Sequence, residues 1–289
     1  MRDYLINKLR SAKALRLDTS RPQAVEKVHS TDHLTARERT SMLLDAGSEV
    51  EFGAIAARDS DGDWVPEKGG VDFIGTIDGK TVITSSTDYT DRGGGYGAAR
   101  LEHLISLAQQ QRWPIAFFVD GGGSRARHPR AGLGHLELSG QIGRFTLFDG
   151  MAELSGWVPT VAIVSGPSFA GHASLAGFSD IVITTRGSAI GMGGPPMVEA
   201  ALGLTLTPQE LAGVEMHELT GGIDLLVDDE PTAIELTKQY LSYLNDHSGG
   251  QEHPSAEKIA ELVPESGPYD IYPVINAIVD RDSVFELRP

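Results

Sequence analysis

The sequence of 289 residues contains no cysteine, so disulfide bonds, thiolate zinc sites and a cysteine nucleophile are excluded. It also lacks an apolar run long enough to span a bilayer. The first residues, MRDYLINKLRSAKALRL, alternate charged and apolar side chains, unlike a signal peptide. These absences fit a cytoplasmic protein, which is the location that we expect.

Positive charge is scarce as well. The chain has 24 Lys and Arg residues against 40 Asp and Glu, which gives a formal net charge of -16 at pH 7. An acidic protein of this kind is poorly suited to bind nucleic acid or an anionic membrane. An anionic ligand is therefore expected to be held by a local cluster of donors.

Glycine, in contrast, is plentiful, with 34 residues that cluster in loops after apolar segments. The segments TVITSSTD, PIAFFVD and TVAIVSG each lead into a small-residue loop and then into a helical pattern. PIAFFV is apolar throughout and TVAIV is apolar after its first residue, as expected for strands that are buried on both faces. The alternation predicts an α/β fold with mixed sheets flanked by helices.

Local signals define some of the expected elements. Thr35 and Glu38 have the spacing of a capping box at the start of a helix. Asp78 and Gly79 predict the tight turn of a hairpin between two β-rich runs. The segment 59–70 is expected to be an acidic surface loop.

Two turns have the residues needed to present backbone N–H groups to an oxyanion. Gly122 and Gly123 follow PIAFFVD, and Ala170 and Gly171 stand where a helix begins after TVAIV. A strand end followed by a helix N-terminus leaves N–H groups unpaired at one place. Small residues also permit tight turns and close packing without a ligand, so both interpretations stay open on this evidence.

Side chains suited to nucleophilic or general-base catalysis are hard to find. Ser165 lies in VSGPS, which is not the Gly-x-Ser-x-Gly pattern of a nucleophile elbow. His172 is the best-placed histidine because it directly follows the small-residue turn, but no carboxylate stands at a telling distance from it. Oxyanion donors without an evident base suggest that a cofactor or the substrate supplies the base.

Between Leu34 and Asn245 a set of motifs stands in a fixed order: LTARERTSMLLDAGSEVEFG, GTIDGKTV, DRGGGYGAARLEHL, DGGGSRARHPRAGL, SGPSFAGHASLAGFSD and GMGGPPMVEAALG. This ordered set resembles the N-terminal half of the biotin-dependent acyl-CoA carboxyltransferases (acetyl-/propionyl-CoA carboxylase β-subunit type), of the crotonase superfamily. The tail PYDIYPVINAIVDRDSVFELRP resembles the first segment of that family's second half. The resemblance implies a ClpP/crotonase-type superhelix of ββα units.

The resemblance also divides the chain. Residues 1–34 are expected to form an N-terminal helix and connector. Residues 35–250 are expected to form a crotonase-like, acyl-CoA-binding carboxyltransferase domain. Residues 251–289 are expected to be a linker and the start of a segment like the second half.

In that family the acyl-CoA thioester lies in the N-terminal half, the biotin lies mostly against the C-terminal half, and the pocket forms between them. Carboxybiotin breaks down to CO2 and a ureido anion, which takes the α-proton, and the thioester enolate then attacks the CO2. The implied cofactor is biotin on a partner carrier protein, with acyl-CoA as substrate and no metal in this chain. The implied partners are a C-terminal-half carboxyltransferase subunit, a biotin carboxyl carrier protein and a biotin carboxylase, in a hetero-oligomer or hexamer.

Residue by residue, the resemblance assigns the enolate-stabilising catalytic positions to Ala170, Gly171, Gly122 and Gly123. It assigns the substrate-binding positions to Gly94, Gly95, Arg125, His172, Gly194 and Pro195.

The sequence departs from the family pattern around this expected site. Ala170 replaces a glycine, His172 an alanine, Pro196 an aspartate and Asp224 a histidine, and the basic segment RHPR (127–130) replaces IQEG. These departures leave the acyl chain of the substrate open, and they leave open whether the chain is active at all.

Three alternatives therefore remain beside the carboxyltransferase subunit. A decarboxylase subunit acting on a malonyl-type thioester would use the same enolate site in reverse. A hydratase or isomerase would need one or two carboxylates beside the turn, where the sequence has small residues. A non-catalytic subunit that scaffolds an assembly is the third.

Overall fold

The computed structural model describes residues 2–58, 64–66, 69–91, 94, 98–122, 147–244, 254–280 and 283–288. Its strands are β1 (Val50–Phe52), β2 (Ile55–Arg58), β3 (Trp64–Pro66), β4 (Gly70–Ile77), β5 (Lys80–Thr87), β6 (Ile115–Phe118), β7 (Thr160–Val164), β8 (Pro167–Phe169), β9 (Ile181–Thr185), β10 (Ala189–Gly191) and β11 (Leu225–Val227). Its α-helices are α1 (Arg2–Ala14), α2 (Pro22–His29), α3 (Ala36–Leu43), α4 (Ala98–Gln111), α5 (Leu147–Leu154), α6 (Gly171–Phe178), α7 (Pro195–Leu202), α8 (Pro208–Ala212), α9 (Val214–Thr220), α10 (Glu230–Ser242), α11 (Ala256–Ala260) and α12 (Tyr272–Ile278).

A seven-stranded mixed sheet in the order β1-β4-β5-β6-β7-β9-β11 forms the centre of the fold. The strands β1, β4 and β5 pair antiparallel, whereas β5, β6, β7, β9 and β11 pair parallel. The continuously apolar segments of the sequence form β6 and β7, and every residue of both strands is buried. The prediction of a mixed sheet with buried central strands is confirmed.

Helices cover both faces of this sheet, and each face has its own apolar core. Along β6, Ile115 and Phe117 pack with side chains of α4, α5 and α6, whereas Ala116 and Phe118 pack with those of α3 and α10. This alternation follows from the two-residue period of a strand. It explains why β6, which lies between two helical layers, has no polar position.

The local sequence signals give the expected structures. The Thr35 hydroxyl accepts a hydrogen bond from the Glu38 N–H, and the Glu38 carboxylate accepts one from the Thr35 N–H, which completes the capping box of α3. Asp78 and Gly79 form the turn of the β4–β5 hairpin, with φ angles of 50° and 74°. Both features are formed by residues close together in the chain.

Two predictions about connecting segments need correction. Residues 59–70 are not wholly a loop, because β3 pairs antiparallel with β2 and β4 already begins at Gly70. Trp64 and Val65 have high β propensity, which favours the strand. Residues 1–34 contain two α-helices rather than one, since Pro22 occupies the first turn of α2, where a missing N–H costs nothing.

The expected glycine turns lie at one edge of the main sheet. β6 and β7 are parallel neighbours, and the chain leaves the carboxyl end of β6 into residues 119–122 and that of β7 into Ser165 and β8. β8 then forms a small parallel sheet with β10 at the same edge. The carboxyl edge of a parallel sheet is where α/β proteins commonly place their ligands.

Candidate active site

The turn between β8 and α6 holds Ala170 in an unusual backbone conformation. Its φ of 54° and ψ of -119° suit glycine, and its N–H donates to the carbonyl of Gly191 at 3.0 Å. Gly171 is the first residue of α6, so its N–H has no acceptor within the helix. The turn thus directs a helix N-terminal amide away from its own backbone.

The second predicted turn lies directly beside the first. The Gly121 N–H donates to the Pro167 carbonyl at 2.6 Å, and the Phe169 N–H donates to the Gly121 carbonyl at 2.9 Å. No atom of the described residues outside the adjoining backbone lies within 4 Å of where a Cβ of Gly122 would stand. The structure therefore brings Gly122 next to the Ala170–Gly171 turn, with no other described residue against its open side. Gly123 lies outside the described residues.

A third glycine loop is joined to these two by His172. The imidazole Nε2 lies 2.7 Å from the Gly94 carbonyl oxygen, to which it donates, and the ring occupies the space that a Cβ of Gly121 would need. Gly94 has a φ of 77°, and a side chain there would collide with the Asp120 carbonyl. Only glycine allows this approach. Gly95 lies outside the described residues.

The predicted pair Gly194–Pro195 also reaches this place. Gly191 pairs with Phe169 across the small sheet, and the aromatic ring of Phe169 packs against both Gly191 and Gly194. Gly194 is the N-cap of α7, and Pro195 is its first residue. The loop that enters α7 therefore lies against the strand that leads into Ala170. Arg125 and the basic segment 127–130 lie outside the described residues.

His172 is only 3% exposed, and burial lowers its pKa. It is therefore neutral near pH 7, with its Nε2 proton committed to a carbonyl. Ser165 is also buried, its hydroxyl 3.2 Å from Asp120 and 2.8 Å from Arg39. Neither side chain stands free as a base or a nucleophile.

A buried cluster of charged side chains lies behind the turns, and no motif in the sequence indicates it. The Arg39 Nη2 lies 2.6 Å from the Asp120 carboxylate and 2.5 Å from that of Glu230, and each of the three side chains is at most 5% exposed. Burial alone would raise the pKa of Glu230, but the hydrogen bond with His33 and the Arg39 guanidinium outweigh it and bring this pKa to about 2. The two carboxylates likewise raise the pKa of Arg39 against the effect of burial.

Asp120 is the described carboxylate closest in sequence to the glycine turns, directly before Gly121. Both of its oxygens are occupied: Oδ1 accepts from the N–H groups of Ser165 and Gly166, and Oδ2 contacts Arg39. A hydratase or isomerase needs a carboxylate that reaches the substrate, and Asp120 does not have that freedom.

Asp224 stands away from the turns. It precedes β11, accepts from the Val182 N–H near the start of β9 at 2.9 Å, and forms an ion pair with Arg288. It therefore lies at the amino ends of the parallel strands, opposite the glycine turns. Pro196 is the second residue of α7, close to the Gly194 loop, as its sequence position suggests.

In the part of the chain that the structure describes, no three His, Cys, Asp or Glu side chains are grouped so that they could hold a metal ion. Among the same residues, none of the helices combines the length and the apolar character needed to cross a membrane.

Comparison with known proteins identifies the family. The family described as Carboxyl transferase domain matches residues 27–289. The methylmalonyl-CoA carboxyltransferase 12S subunit of Propionibacterium freudenreichii subsp. shermanii is 31% identical over 283 residues, which are 91% of this chain and 52% of that protein. The biotin-dependent 3-methylcrotonyl-coenzyme A carboxylase beta1 subunit of Mycobacterium tuberculosis is 31% identical over 276 residues, covering 90% of this chain and 51% of that protein.

The fold has a counterpart among solved structures. A single-chain, multi-domain long-chain acyl-CoA carboxylase superposes with a TM-score of 0.84 and 34% identity, covering 98% of this chain and 30% of the other. The likeness confirms the predicted crotonase-type fold. The chain spans about half the length of the curated relatives it matches. Because the family match covers residues 27–289, nearly the whole sequence, the chain belongs to the carboxyl transferase domain family.

Proposed function

We propose that this chain is the acyl-CoA-binding half of a biotin-dependent acyl-CoA carboxyltransferase. The observation that carries the proposal is the convergence of two small-residue turns, at Gly122 and at Ala170–Gly171, with no other described residue within 4 Å of where a Cβ of Gly122 would stand. Fixed backbone amides at a helix N-terminus are well suited to hold the oxygen of a thioester enolate. Membership of the carboxyl transferase domain family supports this chemistry over other uses of the same turns.

The chain's own part in the reaction follows from this geometry. The N–H of Gly171, with a second from the Gly122–Gly123 turn, would donate hydrogen bonds to the thioester oxygen and stabilise the charge that develops when the α-proton leaves. The Gly171 amide needs no reorganisation during the reaction, because the preceding strand β8 is fixed by its pairing with β10 and with Gly121. Losing one such donor typically costs about 10²–10³ in turnover.

Biotin on a partner carrier protein would supply both the CO2 and the base that takes the α-proton. The residues described here fit this division of work, because the histidine, serine and carboxylate nearest the turns are each committed to other contacts. This chain would thus bind and orient the thioester while the base arrives with the partner.

The remaining members of the proposed acyl-CoA site surround these donors. Gly94, Gly194 and Pro195 would border it through the contacts that His172 and Phe169 make. Gly95 and Arg125 are assigned to it from the sequence alone. His172 would shape the site, since its ring closes the space beside Gly121.

The proposed partner is a C-terminal-half carboxyltransferase subunit, acting with a biotin carboxyl carrier protein and a biotin carboxylase.

Helix α7 supports the need for a partner. Its sequence is PPMVEAAL, with one charged residue, and none of its eight residues, all described, is buried; Met197 is 66% exposed and Leu202 68%. An apolar helix left in solvent marks a protein contact. It starts at Gly194–Pro195, so a subunit docked on it would border the proposed site.

The test is purification of the tagged protein from its native cells, followed by mass analysis, a biotin blot and an assay of the recovered complex. Supply of ATP, labelled bicarbonate and a panel of acyl-CoA thioesters should give labelled carboxyacyl-CoA, and avidin should stop it. Release of CO2 from a malonyl-type thioester without uptake of label would indicate the decarboxylase instead. No turnover in either direction would indicate a scaffold. The division at residues 34 and 250 and a cytoplasmic location stay predictions.

A further inference from the structure

Asp120 joins the two chain segments that carry the proposed enolate donors. It lies between the end of β6 and the Gly121–Gly122 turn. Its Oδ1 accepts the N–H groups of Ser165 at 2.9 Å and Gly166 at 3.0 Å, just beyond the end of β7. One carboxylate therefore fixes the exits of two neighbouring strands relative to each other.

Each of these exits leads to one of the two turns. The exit from β6 continues directly into Gly122. The exit from β7 passes through Gly166 into β8 and reaches Ala170 and Gly171 within five residues. The Gly121–Phe169 hydrogen bond at 2.9 Å is a second link between the same segments. The relative position of the two donors thus depends on the contacts of Asp120.

The opposite side of Asp120 is held by Arg39, which comes from a different layer of the fold. Arg39 lies on α3 and reaches both Asp120 and Glu230, the first residue of α10. Glu230 is in turn held by the Leu34 N–H at 2.8 Å and faces the half-buried His33. Two buried carboxylates around one guanidinium cost free energy to desolvate, and that cost is offset only where the geometry is tightly satisfied.

We propose that Asp120 and Arg39 are positioning residues that set the relative orientation of the enolate-stabilising amides at Gly122 and Gly171. The inference rests on the proposed function for the identity of the ligand. Both amides must point at one oxygen, and a misplacement of about 1 Å can cost roughly 10² in rate. A fixed ionic cross-link between the strand exits supplies the required rigidity.

The decisive variant is Asp120→Asn in the complete complex. The amide keeps an oxygen for the two N–H groups but loses the charge that pairs with Arg39. Because the thioester still binds, KM for acyl-CoA should stay within about threefold, while kcat should fall about 10- to 100-fold. Arg39→Lys, which keeps the charge but loses the planar fork, should lie between wild type and Arg39→Met.

Asp224→Asn is the matched control. Asp224 is also a buried carboxylate that accepts a strand N–H, from Val182, and pairs with an arginine, but it lies at the opposite ends of the strands. It should lower stability without changing kcat by more than about twofold. An equal fall of kcat in Asp120→Asn and Asp224→Asn would overturn the positioning role, as would an Asp120→Asn enzyme with wild-type kcat.

If the wild-type complex shows no acyl-CoA turnover, that result contradicts the proposed function but not the cross-link. Amide hydrogen exchange then tests the cross-link by itself. In Asp120→Asn, exchange should accelerate in the segments 119–122 and 165–171. In Asp224→Asn it should accelerate only near 182 and 224. Unchanged exchange at both strand exits in Asp120→Asn would contradict the cross-link whatever the enzyme's activity.

Discussion

His172 and Gly94 are 78 residues apart in the chain, yet the imidazole Nε2 donates to the Gly94 carbonyl at 2.7 Å. The same ring packs against Gly121, so one side chain touches two of the three glycine loops, and it belongs to the first turn of the helix that follows the third. The position is occupied by alanine in the family pattern that the sequence resembles. Compared with alanine, the histidine side chain fills space at this position and forms a fixed contact between the Gly94 and Gly121 loops.

The buried, neutral His172 should make stability depend on pH. Burial lowers its pKa in the folded protein, so below about 6.5 the unfolded chain binds a proton that the folded chain does not. This contribution to stability is therefore present above that pH and is lost as the pH falls below it. Urea unfolding at pH 8 and pH 5.5 should show a smaller loss of stability for His172→Asn than for wild type. Equal losses would show that His172 is not kept neutral by the fold.

Ala170→Gly should stabilise the protein while leaving turnover intact. Ala170 combines a φ of 54° with a ψ of -119°, a sparsely populated conformation that costs a non-glycine residue about 1–2 kcal/mol. Glycine relieves this cost but adds about 0.4–1 kcal/mol of chain entropy to the unfolded state. A net gain of roughly 0.5–1 kcal/mol is expected, and the N–H that bonds to Gly191 is kept. A clear loss of stability in thermal unfolding would mean that the turn is not strained.

Gly122→Ala should lower acyl-CoA turnover without destabilising the fold. No described atom beyond the adjoining backbone would contact the new methyl group, which in the proposed site would face the bound thioester. Gly177→Ala is the control, because its methyl group would also meet nothing, but on the exposed face of α6. Gly177→Ala should keep wild-type kcat/KM and gain about 0.5–1 kcal/mol from helix propensity. Equal kcat/KM in both variants would place the substrate elsewhere.

Met197→Glu should release the partner subunit and leave the isolated chain equally stable. The side chain is exposed on α7 and contributes to no core cluster of the described residues, so a charge there costs little without a partner. Met42→Glu, on α3 and 38% exposed, is the control and should keep the complex together. Size-exclusion chromatography of the complex gives the answer. Normal assembly of Met197→Glu would exclude α7 from the interface.

The parts of the fold that sequence predicts are those with local causes. The capping box at Thr35 and the Asp78–Gly79 hairpin turn depend on residues within four positions of one another, so pattern alone locates them. The buried strands β6 and β7 are recognisable because runs of apolar residues, IAFF and VAIV, lie between the two helical layers. The sequence does not predict strands β8 and β10, because three residues are too few to show the two-residue alternation of a strand.

The part of the candidate site that the sequence predicts is the part formed by backbone groups. Small residues after apolar strands pointed to Gly122, Ala170 and Gly171, and the structure brings these together. Arg39 pairs with Glu230, which is 191 positions away in the chain, and no sequence motif near either residue predicts this pair. Only the packing of α3 and α10 on the same face of the sheet makes Arg39 and Glu230 partners.

The most direct test of the proposed function is labelled-bicarbonate incorporation into acyl-CoA by the complex recovered from native cells, with Gly171→Pro beside Gly171→Ala. Proline removes the amide that would bind the enolate oxygen, whereas alanine keeps it. The proposal predicts avidin-sensitive incorporation that Gly171→Ala retains and Gly171→Pro loses by at least about 10²-fold, with acyl-CoA affinity largely unchanged. Incorporation by Gly171→Pro at the wild-type rate would contradict the assignment of this turn as the enolate site.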